Sequence, residues 1–197
     1  EQRPFFGGTY IPHDNFLALL ERIVELWTTR RADLERQAGA VAERLVPELD
    51  PAVVAGESGA IAADELLARA AASARERWDE QHGGLAGGMK FPTPPRWRTL
   101  LWWYRRSGDP TTREMVTTTL ESMARGGIHD HVGGGFHRYT VDAHWTVPHF
   151  EKMLYDNAQL ATLFLEAGAA LGRPDFTAVA TDTLAFLDHE MAATDGA

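Results

Sequence analysis

Leu100-Leu101-Trp102-Trp103-Tyr104-Arg105-Arg106-Ser107-Gly108-Asp109-Pro110-Thr111-Thr112 reads as the end of one helix joined directly to the start of the next. Trp97, Leu100, Leu101 and Tyr104 recur at the helical period, with Pro95 near the first turn and Gly108 just past the last. Asp109-Pro110 then opens a second run that carries Val116, Leu120 and Met123 up to Gly126-Gly127. The same Gly-x-Pro corner returns at Gly172-Arg173-Pro174. Each corner is short enough to fold two helices into a tight antiparallel hairpin.

Working outward, an earlier helical stripe runs Leu67, Ala70, Ala71, Ala74 and Trp78, and the helices flanking the second corner carry Leu154, Ala158, Ala161, Leu165 and then Phe176, Val179, Ala180, Thr183, Leu187. Between hairpins the chain takes long Gly- and aromatic-rich excursions, from Asp79 to Pro94 and from Gly126 to Pro148. This alternation of short and long links is a weak internal repeat. In a run of antiparallel helices, alternate connections lie at opposite ends, so the corners share one face and the long loops the other. Long loops in compact domains usually carry function, so a site is expected there.

The first fifty residues read differently. Pro4-Phe5-Phe6-Gly7-Gly8-Thr9-Tyr10-Ile11-Pro12 suits a short strand or extended arm. Asp14 or Asn15 would cap a following helix with Phe16, Leu19, Leu20, Ile23 and Trp27 on one side, continuing more weakly through Leu34, Val41 and Leu45. Pro47, Pro51 and the stretch from Val53 to Gly59 break the pattern and make a linker. The expected division is therefore residues 1–50 and residues 51–197.

The chain has 197 residues, 19 Lys+Arg against 28 Asp+Glu for a net charge of −9, and no cysteine. Disulfides, thiolate nucleophiles and cysteine-bound zinc or iron–sulfur clusters are excluded for these residues. The acidic balance argues against a nucleic-acid partner, which needs clustered positive charge. No apolar run reaches the roughly 20 residues that span a bilayer, and Glu1-Gln2-Arg3-Pro4 lacks signal-peptide anatomy, so no membrane partner and a cytoplasmic location are expected. The absence of an initiator Met is read as the mark of a piece of something longer.

Five of the eight histidines, His129, His131, His137, His144 and His149, fall within 129–149. Asp130, Arg138, Tyr139, Asp142, Trp145, Glu151, Lys152, Tyr155, Asp156 and Asn157 lie in the same segment and the turn after it. Carboxylates and amides pair with hydroxyls, aromatic faces cover sugar rings, and His or carboxylate groups move protons, so the set suits a polyhydroxylated small molecule. His131, His149, Glu151 and Asp156 are the candidate catalytic groups. Asp130, His137, Arg138, Tyr139, Trp145, Lys152, Tyr155 and Asn157 are the candidate substrate-binding groups. Glu151 with Asp156 or Asp142 would divide acid and base duties, although five residues on a helix separate Glu151 and Asp156 by about 140°. The structural alternative is that the histidines satisfy backbone carbonyls while Trp145, Phe150 and Tyr155 plug a helical ring. His129-Asp130-His131 could ligate a metal, but no strict ligand spacing appears, and neither metal nor cofactor is expected. Ser58, Ser73, Ser107 and Ser122 occupy no nucleophile elbow, and the glycine runs match neither phosphate-binding fingerprint. Trp97, Trp102, Trp103 and Tyr104 read as packing.

Three stretches carry a family resemblance: Asp79-Glu80-Gln81-His82-Gly83-Gly84-Leu85-Ala86-Gly87-Gly88-Met89-Lys90-Phe91-Pro92, then Gly133 to Tyr139, then His144-Trp145-Thr146-Val147-Pro148-His149-Phe150-Glu151-Lys152-Met153-Leu154-Tyr155-Asp156-Asn157-Ala158-Gln159-Leu160. They resemble the thioredoxin-domain-containing family related to spermatogenesis-associated protein 20. The resemblance implies a thioredoxin-like domain followed by an (α/α)6 toroid similar to six-hairpin glycosidases and N-acylglucosamine 2-epimerases. Residues 1–50 would then be the last strand and helix of the first domain, with its cysteine motif upstream of residue 1. Residues 51–197 would be the first part of the toroid, a mainly α fold whose open edge favours self-association. If the protein is an enzyme, the resemblance implies sugar-active acid/base chemistry of the epimerase or glycosidase kind. The alternative is a non-catalytic helical scaffold that presents the thioredoxin-like domain to protein clients.

Overall fold

The computed structural model describes residues 3–49 and 62–193, and the chain divides into two compact units, Glu1–Ile61 and Ala62–Ala197. The expected linker at 51–59 lies outside the described residues. In the first unit residues 3–12 form an extended arm, since a strand needs a neighbour and the described residues contain no sheet. Two helices follow, α1 (His13–Thr29) and α2 (Arg31–Leu49), where one continuous pattern was expected. The chain leaves helical geometry at Arg30, with φ −138°. Pro12 rather than Asp14 or Asn15 holds the N-cap of α1, which places both polar residues inside its first turn. Pro47 does not end α2. It sits in the last turn, where its missing N–H forfeits one hydrogen bond shortly before the helix stops.

The second unit contains α3 (Ala63–Arg75), α4 (Pro94–Ser107), α5 (Pro110–Arg125), α6 (Leu154–Leu171) and α7 (Pro174–Phe186), with a π turn at Leu187–Met191. Both Gly-x-Pro corners form as expected. Gly108 and Gly172 take left-handed φ of 70° and 67°, the next residue is the N-cap, and proline occupies the first turn. Their side chains differ. The Asp109 carboxylate caps α5 by accepting from the Thr111 and Thr112 amides at 3.3 and 3.1 Å. Arg173 instead ties its corner to α5 through Glu121 at 2.5 Å.

The core lies between the two hairpins. Trp97, Leu100 and Leu101 of α4 meet Met115, Val116, Leu120 and Met123 of α5, with Leu160, Leu163, Phe164 and Ala167 of α6 and Phe176 and Ala180 of α7. On α6 the buried stripe differs from the expected one. Asn157, Leu160, Phe164, Ala167 and Leu171 face inward, while Leu154, Ala158 and Leu165 are exposed. This helix is apolar on most sides, so periodicity does not single out its inner face. Among the described residues no helix is long and apolar enough to cross a membrane.

The long loops, 76–93 and 126–153, meet at the end opposite the corners. Lys90 and Thr140 exchange backbone hydrogen bonds of 3.1 and 2.9 Å between them. Trp145, fully buried, fills the space where they cross and donates its indole N–H to the His82 carbonyl at 2.9 Å. Gly84 has φ 74°, and a Cβ there would stand 2.5 Å from the Trp145 ring. Replacing Gly84 with Ala is expected to destabilise the second unit by about 2–4 kcal/mol, combining left-handed strain with overpacking. Asp109→Ala, which removes the cap and the acceptor of the buried Thr112 hydroxyl, is expected to cost less, about 1–2 kcal/mol. Urea unfolding followed by far-UV circular dichroism would rank the two, and equal midpoints would contradict this packing.

Candidate functional site

Segments 137–141 and 147–151 run back on each other in the second long loop. Arg138 N–H donates to the Glu151 carbonyl at 2.7 Å, His149 N–H to Tyr139 at 2.9 Å, and Val141 N–H to Val147 at 3.0 Å. Asp142 closes the turn between them, its carboxylate accepting from the amides of His144 at 2.6 Å, Thr146 at 3.2 Å and Val147 at 2.5 Å. Burial opposes the Asp142 charge, but these three donors outweigh it and hold the carboxyl below its ordinary range.

This pairing brings side chains from its two limbs together. The Arg138 guanidinium donates to Glu151 Oε2 at 2.9 Å, and His149 Nδ1 lies 3.8 Å from the same oxygen. The Tyr139 ring stacks on His149 at 4.8 Å on one side and on Phe91 at 4.8 Å on the other. Arg138 also interacts with Tyr155, and its positive charge reaches Asp156 in the first turn of α6. Burial pushes the Asp156 carboxyl above its ordinary range, with Arg138 opposing. His149, Tyr155 and Phe91 are exposed, and Arg138, Tyr139, Glu151 and Asp156 are half-buried. The group can stack on an apolar ring face and donate and accept hydrogen bonds, and Asp156 gives up its proton less readily than an ordinary carboxyl. Glu151 precedes α6, so the helical 140° argument against its meeting Asp156 does not apply.

The other sequence-predicted residues serve the fold. Asn157, expected to bind substrate, is fully buried: its amide oxygen accepts from Phe136 N–H at 2.6 Å and its NH2 donates to Phe136 and Met153 carbonyls at 3.0 Å each. Trp145, expected to face a ligand, is the buried plug described above. Lys152 donates to Asp130 at 2.8 Å and to the Gly134 carbonyl at 2.7 Å, closing the 130–135 turn. Asp130 also accepts from Val132 and Gly133 amides at 3.0 and 2.8 Å. The Gly133 amide first and then the Lys152 ammonium hold the Asp130 carboxyl far below its ordinary range. His131 stands apart from the Glu151 group, its Nε2 on the Gly126 carbonyl at 3.1 Å and its ring against His129 at 4.7 Å. His129 is itself buried between the Ala124 carbonyl at 3.2 Å and Asp182 at 3.0 Å. Among the described residues no three His, Asp or Glu side chains converge as a metal set. His137 is buried with Nδ1 unpartnered, and burial lowers its basicity.

Phe91 is a site residue that sequence reasoning left out, and Lys90 is a structural residue beside it that was left out as well. Phe91 comes from the other long loop and completes the ring stack. Lys90, with its side chain fully buried, donates to Asp79 at 2.6 Å and to the Gly83 carbonyl. Both stand at the end of the first resemblance stretch, in a Lys-Phe-Pro step after a glycine-rich run, and that is the signal that could have found them.

No family model matches the chain. It is similar to spermatogenesis-associated protein 20 of Mus musculus, 35% identical over 204 residues, which cover 98% of this chain and 26% of that protein. The similarity to spermatogenesis-associated protein 20 of Homo sapiens is also 35%, over 212 residues and the same shares. The chain thus spans about a quarter of the length of the curated relatives it matches. Among solved structures, a sugar epimerase from a ruminal bacterium superposes with a TM-score of 0.55 at 15% identity, over 68% of this chain and 38% of that one. The fold is therefore part of an (α/α) toroid of antiparallel helical hairpins.

Acid titration tests the division between structural and surface groups. Because the folded Asp130 carboxyl lies below its ordinary value of 3.8, its stabilisation is fully present above that value and is lost as pH falls through the folded value. Asp130→Asn should lower stability at neutral pH and flatten its fall below about pH 4. Unfolding midpoints measured from pH 7 down to pH 2 check this, and a parallel pair of curves would refute it.

Proposed function

We propose that this chain is part of a thioredoxin-like and (α/α)6 toroid protein whose toroid binds a carbohydrate-type ligand at the long-loop face. The supporting observation is the convergence of the Phe91, Tyr139 and His149 ring stack with the Arg138–Glu151 pair and the protonatable Asp156. The exposed Phe91 and His149 rings, held by Tyr139 between them, offer a ring face to an apolar sugar face. Arg138, Glu151 and Tyr155 orient hydroxyls. Asp156, with its carboxyl pushed up by burial, is the proton donor, and His149 beside Glu151 is the acceptor. The fold shared with a sugar epimerase supports the ligand class by analogy. In this reading residues 1–50 close the thioredoxin-like domain and residues 51–197 begin the toroid.

One observation favours the scaffold reading. Clefts of about 570 Å3 beside α3 and about 270 Å3 between α3 and α4 are lined by none of the twelve candidate residues. In a scaffold the loop face would dock a protein client without chemistry.

Titrating the full-length protein with a panel of mono- and disaccharides separates the readings. Saturable binding weakened about tenfold or more by Glu151→Gln or His149→Ala is expected, each removing a charge-assisted or stacking contact. The absence of saturation, or binding indifferent to both substitutions, would favour the scaffold. Asp156 gives a second check. A carboxyl raised by folding destabilises as pH rises through 3.8 to its folded value, so Asp156→Asn should raise the melting temperature at pH 7. A gain in stability with a loss of turnover marks a functional acid, whereas a loss of stability would count against this role.

A further inference from the structure

The cleft between α3 and α4 holds a charge arrangement that the saccharide reading does not use. Arg77 stands just past the end of α3 and Arg96 in the first turn of α4, and both line the cleft with Ser73, Leu85, Thr99 and Leu100. Neither guanidinium has an ion pair or side-chain hydrogen bond with another described residue. Carboxylates are plentiful in a chain with 28 Asp+Glu: Arg98, Arg106 and Arg138 each take one, and Arg173 takes two. No Asp or Glu lines this cleft.

Arg96 is also placed against its own helix. A cation in the first turn opposes the helix dipole, and that turn of α4 contains no acid to offset it. Two guanidiniums that line one hollow with no carboxylate among its walls both gain from a shared anion. Each presents a planar fork of donors that matches the oxygens of a phosphate group. Thr99 spends its hydroxyl proton on the Pro95 carbonyl at 2.8 Å and so forms wall, whereas the Ser73 hydroxyl is a third donor. Leu85 and Leu100 give the cleft an apolar part of its wall. At about 270 Å3 the space accommodates on the order of nine waters, enough for a tetrahedral oxyanion with a small ester substituent.

We propose that Arg77, Arg96 and Ser73 form a binding site for a phosphate-type oxyanion, carried either as the free ion or as a small phosphomonoester. Two forks reaching from separate elements address more oxygens than a carboxylate offers, so a tetrahedral anion is favoured over a planar one. The site stands on these residues alone and is independent of saccharide binding at the His149–Glu151 group.

The test is a titration of the full chain at constant ionic strength with inorganic phosphate, glucose 6-phosphate, glucose, acetate and chloride, read by NMR at the arginine Nε–H resonances. Saturable binding of inorganic phosphate or glucose 6-phosphate is expected, with R77Q and R96Q each weakening it about tenfold and the double variant abolishing saturation. R113Q, on the exposed face of α5, should leave it unchanged, and far-UV circular dichroism should show the fold retained in every variant. Glucose 6-phosphate binding tighter than the free ion identifies an ester ligand, the reverse order identifies the ion, and both uphold the site. Absence of saturation, equal competition by acetate or chloride, or phosphate binding unaffected in R77Q/R96Q would overturn it. Glucose shifting these same resonances as strongly as glucose 6-phosphate would overturn it as well.

Discussion

The long-loop end depends on one buried side chain. Trp145 lies under both loops, and burying an indole of roughly 200 Å2 contributes about 5 kcal/mol before entropy is charged against it. That gain holds Trp145 at φ 62°, a left-handed conformation that a large side chain adopts only when its surroundings over-determine it. Lys90 stands 5.6 Å from the ring, and its ammonium reaches Asp79 at the start of the first loop. A lysine so deeply buried is tolerated because a carboxylate and a carbonyl receive its protons. Burial opposes the Asp79 charge, yet the Lys90 ammonium and the His82 and Gln81 amides more than offset it, leaving the carboxyl below its ordinary range.

Around this plug the polar residues of the crossover divide into two populations. One is consumed by the chain itself. Asn157 imitates a backbone group and pins Phe136 to α6, Asp130 and Lys152 close a turn, and His129 bridges to Asp182. These bonds replace the ladder hydrogen bonds that a loop of this length lacks. The other population is left over because the 137–141 and 147–151 segments pair in a register that sets Arg138 against Glu151 and Tyr139 against His149. Its functional groups are available because the first population has already met the backbone's demands.

The hairpins were legible from the sequence. Gly108, Pro110, Gly172 and Pro174 act through local backbone geometry, which a neighbouring element cannot easily override, and both corners formed where the residues required. The inner face of α6 was not legible. Nearly every turn of that helix offers an apolar residue on more than one side, so contact with α4 and α7 selected the face. The break at Arg30 falls in the polar step Thr28-Thr29-Arg30-Arg31, where the arginine pair suits a solvated helix end, but Trp27 and Leu34 keep the helical phase across it and hid the stop.

At the site the same distinction holds. Composition and spacing determined that titratable groups concentrate at 129–157, because residue type and chain proximity are properties of the sequence itself. Which of them face outward was decided by tertiary structure. His131 and His149 are equally good imidazoles on paper, but one closes on the Gly126 carbonyl while the other stacks on Tyr139 beside Glu151. Phe91 joins that stack, and Arg96 comes to line one cleft with Arg77, only because long-range packing brings separate elements to one place. Burial and pairing across loops are collective, so no local window of sequence contains them.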